Sequence, residues 1–150
     1  MANHRDGGVI VIGVQDRTFA REGVDAQIKA TYDVDAMRAK MKRFADPPVR
    51  FDVDFLTDAG GLEYVVITVK TYEKVPVISR ANNNSDVYQG VLYYRNSDGP
   101  VESAAISNAD DMLDLILTAS TRTRLWLRDR DYVPASDILN QQLDAELGDI

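Results

Sequence analysis

The sequence contains no cysteine, one histidine and one tryptophan among its 150 residues. The lack of cysteine excludes disulfide bonds, thiolate metal sites and a cysteine nucleophile. A single histidine also excludes a zinc site built from several imidazoles. No apolar run approaches the roughly 20 residues of a transmembrane helix, and no signal peptide precedes the first predicted strand. We therefore expect a soluble, cytoplasmic protein that has no membrane partner.

The composition supports a folded domain that is acidic overall. A hydrophobic fraction of 45% and an aromatic fraction of 8% are enough for a core and exclude wholesale disorder. The 17 basic and 24 acidic residues give a net charge of -7, which excludes a generic polycation that coats nucleic acid or anionic membrane. Residues 107–150 hold 4 basic and 9 acidic side chains, so the first two-thirds of the chain is nearly neutral.

Local patterns predict the elements of the first half of the chain. The β-branched run at residues 9–14 is typical of a central strand that is covered on both faces. Asp33 is placed to cap a helix that runs through about Phe44. Residues 49–56 alternate between apolar and polar side chains, and after a turn at 58–61 the chain returns at 62–69, which predicts a hairpin with one buried face. Residues 15–31 show no clear period and are predicted to be a connection.

The second half supplies another strand and the main helices. Residues 91–95 predict a strand, and Ser107 with Asp110 is a variant capping box that predicts the start of a helix. This order of elements predicts an α+β domain, a two-layer mixed sheet with helices packed on one face, at residues 1–120. Residues 121–150 are predicted to be a C-terminal appendage with a short amphipathic helix.

Motifs for catalysis are absent or weak. Gly7 and Gly8 precede a strand instead of linking a strand to a helix, and no Gly-Lys-Ser/Thr follows, so a phosphate loop for ATP is not expected. His4 is the only possible imidazole base, and no nucleophile elbow accompanies it, so a Ser-His-Asp arrangement is not expected. Asp52 and Asp54 share a strand face, which is typical of a solvated hairpin and, alternatively, of a metal or acid/base pair. The sequence predicts no catalytic residue, no metal and no cofactor.

Basic residues form two groups that are placed to face phosphates on a protein that is acidic elsewhere. One group lies on the exposed side of the helix predicted from Asp33, and the other follows the second hairpin strand. An ordinary solvated basic face is the alternative. The members are Arg38, Lys40, Lys42, Arg43, Lys70, Lys74 and Arg80.

Residues 122–130 combine four arginines with the only tryptophan. If this segment is extended, it places them on one side as a stacking platform for single strands. If it is helical, Arg124 and Arg128 share a face and Trp126 packs inward. Asp129 and Asp131 dilute the charge in both cases.

Residues 2–16 resemble the Ala-Asn-x-x-x-Gly-Gly-x-apolar-x-x-Gly-Val-x-Asp signature of the Schlafen AlbA-type domain. Three later segments are similar to that family in the same order. They are Pro-Pro-Val at 47–49, the strand at 65–69 followed by Val-Pro-Val at 75–77, and Tyr-Tyr-Arg-Asn-Ser at 93–97. The resemblance covers roughly residues 2–106. It implies a nucleic-acid-binding domain with an Alba-like fold, in a family formerly described as divergent AAA ATPases.

Two departures from the family pattern bear on chemistry. The strand and helix that normally carry Glu-x-x-x-x-Glu-Phe-Lys before the signature have no counterpart here, and Val75 stands where the family has an arginine. Family members that cleave RNA use two glutamates from the missing segment together with an aspartate that matches Asp16. One carboxylate holds a divalent ion poorly, because hard cations require several oxygen ligands. The resemblance thus implies an N-terminally truncated, non-catalytic domain.

The predicted function is electrostatic binding of DNA or RNA with weak sequence preference. Asn3, Gly7 and Gly8 are predicted to shape a loop beside the bound strand. One alternative is a module for protein interaction or homo-oligomerisation, through the unpaired edge of the first strand or through a leucine stripe. A metal-dependent nuclease completed by another segment or chain is the third possibility. The predicted phosphate contacts are Arg5, Arg38, Lys42, Lys70, Lys74, Arg80 and Arg95, and the stripe consists of Leu139, Leu143 and Leu147.

Overall fold

The computed structural model describes residues 1–84, 86–95, 103–130 and 132. It confirms the α+β class, because these residues form both strands and helices. The strands pair antiparallel and are divided among three small sheets, where the sequence predicted one mixed sheet. The elements are β1 (Gly8–Ile12), α1 (Ala26–Ala30), α2 (Val34–Met41), β2 (Ala45–Asp46), β3 (Phe51–Thr57), β4 (Glu63–Val69), β5 (Ile78–Ser79), β6 (Tyr93–Arg95), β7 (Ser103–Ala105) and α3 (Ala109–Arg128).

The predicted hairpin is confirmed as β3 and β4 of the largest sheet, whose strand order is β1-β4-β3. Phe51 lies opposite Val69 in the antiparallel register. The turn closes where Asp58 Oδ1 accepts hydrogen bonds from the backbone N–H groups of Gly60 and Leu62, at 2.8 and 3.0 Å. A single aspartate therefore satisfies the backbone of the turn that the sequence pattern located.

β1 lies at an edge of this sheet, so the prediction of a central strand is wrong. In the part of the chain that the structure describes, only β4 pairs with it. Its apolar side chains are exposed on both faces: Val9 to 56%, Ile10 to 39% and Val11 to 47%. An unbroken β-branched run is typical of a covered strand, but the covering depends on neighbours that a local pattern does not contain.

Aspartate residues are the N-caps of the two short helices, α1 and α2. Asp33 accepts a hydrogen bond of 2.7 Å from the third backbone N–H beyond it, which confirms the predicted cap of α2, and Asp25 does the same for α1. α2 ends at Met41, earlier than the predicted end at Phe44. α1 falls within residues 15–31, where no helix was predicted, because five residues are too few to show a helical period.

The core lies between the largest sheet and α2. Phe51, Val65 and Ile67 are buried, and Val34 and Met37 of α2 pack against them. The apolar stripe of α2 therefore faces the sheet, as its spacing predicts. This packing leaves the basic side chains of the helix on its exposed surface, beside the start of β3.

Two tyrosines attach α3 to the rest of the molecule. The hydroxyl of Tyr72 donates to the carbonyl of Leu115 at 3.2 Å, and the hydroxyl of Tyr94 donates to Asp114 Oδ2 at 2.9 Å. Burial raises the pKa of Tyr94 to about 12, and the hydrogen bond to Asp114 is the second cause of this shift. Its hydroxyl is therefore protonated, and able to donate, throughout the neutral pH range.

The start of α3 differs by one residue from the prediction. Asn108, and not Ser107, is the N-cap, and its Oδ1 accepts a hydrogen bond from the backbone N–H of Asp111 at 2.8 Å. An asparagine caps a helix as well as a serine does, so the two neighbouring residues compete for this role. The strand predicted at 91–95 is confirmed as β6, which pairs with β7.

The stripe of Leu139, Leu143 and Leu147 lies outside the described residues, as does most of the predicted appendage. α3 itself continues across residue 120. Within the described ranges, no helix is long and apolar enough to cross a membrane.

Candidate functional site

Four cationic side chains from three separate segments line one open cavity of about 550 Å³. α2 contributes Arg38, and Lys42 follows as its C-cap, while Arg50 precedes β3 and Lys70 follows β4. The hairpin register brings the last two together, because the backbone N–H of Lys70 donates to the carbonyl of Arg50 at 2.8 Å. We call this surface the basic groove; its four cations are Arg38, Lys42, Arg50 and Lys70.

Arg38 is held against the sheet by contacts with β3. Its Nη2 donates to the carbonyl of Phe51 at 3.2 Å, and its guanidinium carbon lies 5.9 Å from the centre of the Phe51 ring. The same Nη2 is 3.7 Å from Asp52 Oδ1. The side chain is thus oriented by the fold, although about half of it remains accessible to solvent.

Asp52 is the anionic side chain that lines the basic groove. Its Oδ2 lies 2.6 Å from Lys70 Nζ. The hydrogen bond from Lys70 is the main cause that holds the pKa of Asp52 below its usual range, and the charges of Lys70 and Arg38 add to it. Because these three side chains are about half exposed, water screens the ion pairs and each contributes little to stability.

A second cavity, of about 490 Å³, continues the basic groove. Both cavities are lined by Arg50 and Lys70, and the second extends as far as Lys74. Arg50 forms an ion pair with Glu73 and also donates to the carbonyl of Thr71 at 3.3 Å. The two cavities therefore form one cationic track that runs from α2, past the hairpin, to Lys74.

The track ends at the only tryptophan. Lys74 Nζ lies 3.5 Å from the centre of the Trp126 ring, and the guanidinium carbon of Arg130 lies 4.3 Å from it. The ring of Tyr132 is 6.3 Å away and inclined by only 12°. We call these four residues the Trp126 cluster. Residues up to Arg128 are helical and not extended, and the ring of Trp126 is half-buried against the two cations.

Asn3, Gly7 and Gly8 lie in the loop before β1 and at its start. Asn3 is buried, and its side chain is bonded to backbone groups of Val77 and Tyr93. Gly7 has a φ of +74°, in the left-handed region that favours glycine. The hydrogen bonds of Asn3 hold the loop in place, and Gly7 allows its turn.

Three of the predicted contacts lie apart from the two cavities. Arg5 and Arg80 are exposed, and Arg95 is half-buried in β6. None of the three is among the residues that line either cavity. The backbone carbonyl of Arg5 accepts a hydrogen bond of 2.9 Å from Arg122. The structure thus brings together Arg38, Lys42, Lys70 and Lys74 from the predicted set.

Arg50 belongs to the site but was not among the predicted contacts. The alternation of residues 49–56 places Arg50 on the solvent face of the hairpin together with Asp52. This was the sequence signal that could have identified Arg50 as part of the site. Asp16, the one residue matched to a catalytic carboxylate of the family, accepts a hydrogen bond from the backbone N–H of Arg17 at 3.1 Å. In the described part of the chain, no three His, Asp or Glu side chains are close enough together to hold a metal ion.

Comparison with known proteins adds one finding. The model of a family described as Schlafen, AlbA_2 matches residues 1–102. No curated protein and no solved structure matches the chain. The matched residues include the loop before β1 and all four cations of the basic groove, and the match confirms the resemblance that the sequence motifs indicated.

Proposed function

The chain belongs to the Schlafen AlbA_2 family, and on this basis we propose that it binds nucleic acid along the basic groove without cleaving it. The family supports a function related to nucleic acid in general terms. The groove is the observation that carries the specific proposal, because it concentrates four cations on a protein whose net charge is -7. Such a local concentration is what phosphate binding requires.

The ion pairs in the groove do not prevent this function. The side chains of Lys70 and Asp52 are 53% and 49% exposed, and exposed pairs of this kind contribute little to stability. An entering phosphate can therefore replace the carboxylate as the partner of Lys70 at small cost. Binding by this exchange reads the backbone and not the bases, so we expect weak sequence preference and a strong salt dependence.

Asp16 bears on whether the chain cleaves nucleic acid. It is the single residue of this chain that matches the catalytic carboxylates of family members that cleave RNA. The acidic pair of the predicted hairpin, Asp52 and Asp54, lies on β3, where Asp52 forms an ion pair with Lys70. Incubation of labelled RNA and DNA with magnesium or manganese tests the non-catalytic part of the proposal, and cleavage by the purified chain would refute it.

Replacing both Arg50 and Lys70 by alanine is expected to weaken nucleic-acid binding about tenfold at low salt. It should also make the salt dependence less steep. The magnitude of the slope of log affinity against log salt should fall by about 2, because two phosphate contacts are lost. Fluorescence anisotropy of labelled single-stranded RNA, single-stranded DNA and duplex DNA, at about 50 and 200 mM salt, measures both quantities.

Two matched variants control this experiment. Lys40→Ala removes a cation from the same helix at a position that does not line the groove, so it should change the affinity by less than about twofold. Asp52→Asn removes the anion and should raise the affinity. Equal losses from Lys40→Ala and from the double variant, or no binding at low salt, would contradict a site in the groove.

A second candidate function, assembly into a homodimer, is favoured by the exposed edge of β1. Antiparallel pairing of two copies of β1 about Ile10 would place Val9 of each copy opposite Val11 of the other. Such a two-fold interface must be self-complementary, and the uncharged sequence of β1 meets that condition. The described edge also lacks the lysines and prolines that usually protect edge strands from pairing.

The substitution Val11→Lys is expected to convert such a dimer into a monomer, because it places two like charges in the paired strands. Light scattering coupled to size-exclusion chromatography measures the mass of both proteins. As a control, Val75→Lys changes another exposed valine outside the strands, and it should leave the mass unchanged. A wild-type chain that is monomeric at high concentration would exclude this function.

A further inference from the structure

We propose that the Trp126 cluster is a stacking site for an unpaired base, so that the ligand of the basic groove is single-stranded nucleic acid. This inference rests on the proposed function, because it concerns the end of the same cationic track. It adds the class of nucleic acid that the track is suited to bind.

The cationic track is continuous with the Trp126 cluster. Lys74 lines the second cavity and also lies over the ring of Trp126. A strand whose phosphates follow Lys70 and then Lys74 therefore arrives at the aromatic side chains with no gap between the charged and the aromatic surfaces. The hydroxyl of Thr123 donates to the carbonyl of Lys74 at 3.4 Å, so α3 is joined to the track at this point.

The Trp126 cluster also exposes aromatic surface to solvent. Tyr132 is 61% exposed, and its ring lies nearly parallel to that of Trp126. Its backbone N–H donates to the carbonyl of Leu127 at 3.0 Å, which fixes its position just beyond α3. A base that stacks on Tyr132 would lie nearly parallel to both rings, and base–aromatic stacking is tolerant of sequence because every base has a π-face.

Cationic side chains accompany the aromatic rings of the cluster. Lys74 and Arg130 lie on the tryptophan ring, and Arg128 is 75% exposed nearby on the last turn of α3. Asp129, at 3.6 Å from Arg128, opposes this charge, and Asp131 adds a second acidic residue in the sequence. Aromatic rings among surplus cations bind stacked bases and their phosphates together. Bases inside a duplex are already stacked on their neighbours, so duplex nucleic acid cannot use this surface in the same way.

The single tryptophan makes a direct test possible. When tryptophan is excited selectively, the fluorescence of the whole chain comes from Trp126. The probes are oligothymidylate and oligouridylate of about 12 nucleotides, an abasic strand of equal length and a duplex. We expect both oligonucleotides to quench the fluorescence and to bind at least ~5-fold more tightly than the abasic strand. The two base-bearing probes separate a preference for DNA from one for RNA.

Tyr132→Ala should abolish the difference between the oligothymidylate and abasic strands, and Tyr132→Phe should retain it, since the ring is preserved. Both changes are at an exposed position and keep Trp126 as the reporter. Equal binding of base-bearing and abasic strands without quenching would overturn the stacking site while leaving binding along the basic groove intact. Failure of every probe to bind at low salt would overturn the proposed function itself.

Discussion

Replacing Gly7 by alanine is expected to lower the free energy of unfolding by at least about 3 kcal/mol. A Cβ at this position would lie 2.2 Å from the carbonyl oxygen of Val69 and 3.1 Å from the backbone nitrogen of Thr71. The φ of +74° adds strain that alanine tolerates poorly. Both obstacles are backbone atoms at the junction of β1 and β4, so a side-chain rotation cannot relieve the clash.

Urea denaturation followed by circular dichroism measures this loss, and Gly61→Ala is the matched control. Gly61 has a φ of +84°, but a Cβ there would have no atom within 4 Å. We expect the control to lose about 1–2 kcal/mol, from backbone strain alone. If the two variants lost the same free energy, the close approach of Gly7 to Val69 would not be what requires glycine.

Replacing Asn3 by alanine is expected to have the second-largest effect, a loss of about 3 kcal/mol. Its Nδ2 donates to the carbonyl oxygens of Val77 and Tyr93 at 2.7 and 3.0 Å, and its Oδ1 accepts from the backbone N–H of Val77 at 2.6 Å. Asn3 is only 4% exposed, so water does not replace these bonds easily. Alanine would leave three backbone groups without their partner.

Asn82→Ala provides the comparison, since Asn82 is exposed and its Oδ1 accepts one hydrogen bond, from the backbone N–H of Gln89 at 2.8 Å. It should lose less than about 1 kcal/mol. At a temperature where Asn3→Ala remains folded, its affinity for nucleic acid should match that of the wild type, because the side chain acts within the fold. A reduced affinity in a fully folded variant would instead make Asn3 a ligand contact.

The elements that the sequence predicted well are those with a complete local signal. The hairpin combines alternation over two strands with a turn that Asp58 closes, and α2 combines an aspartate cap with an apolar stripe. α1 was missed because it is only five residues long. The cap of α3 was misplaced by one residue because Ser107 and Asn108 are both competent to serve.

The candidate site was predicted only in part, for a related reason. Arg38, Lys42, Lys70 and Lys74 stand out as basic residues in two stretches of sequence, and the fold brings these stretches together. Arg50 did not stand out, because it sits alone in an alternating strand pattern. Its role depends on the register of β3 against β4, which places it beside Lys70.

By itself, the sequence determined the α+β class, the hairpin, the helix that follows Asp33 and the family, because each depends on residues that are near one another along the chain or on an ordered set of motifs. Only the tertiary structure decided that β1 is an exposed edge strand, that the buried side chain of Asn3 is hydrogen-bonded to a distant segment and that Lys74 lies over the ring of Trp126. Those properties depend on which distant segments meet, and burial, hydrogen-bond partners and charge clusters exist only after they have met.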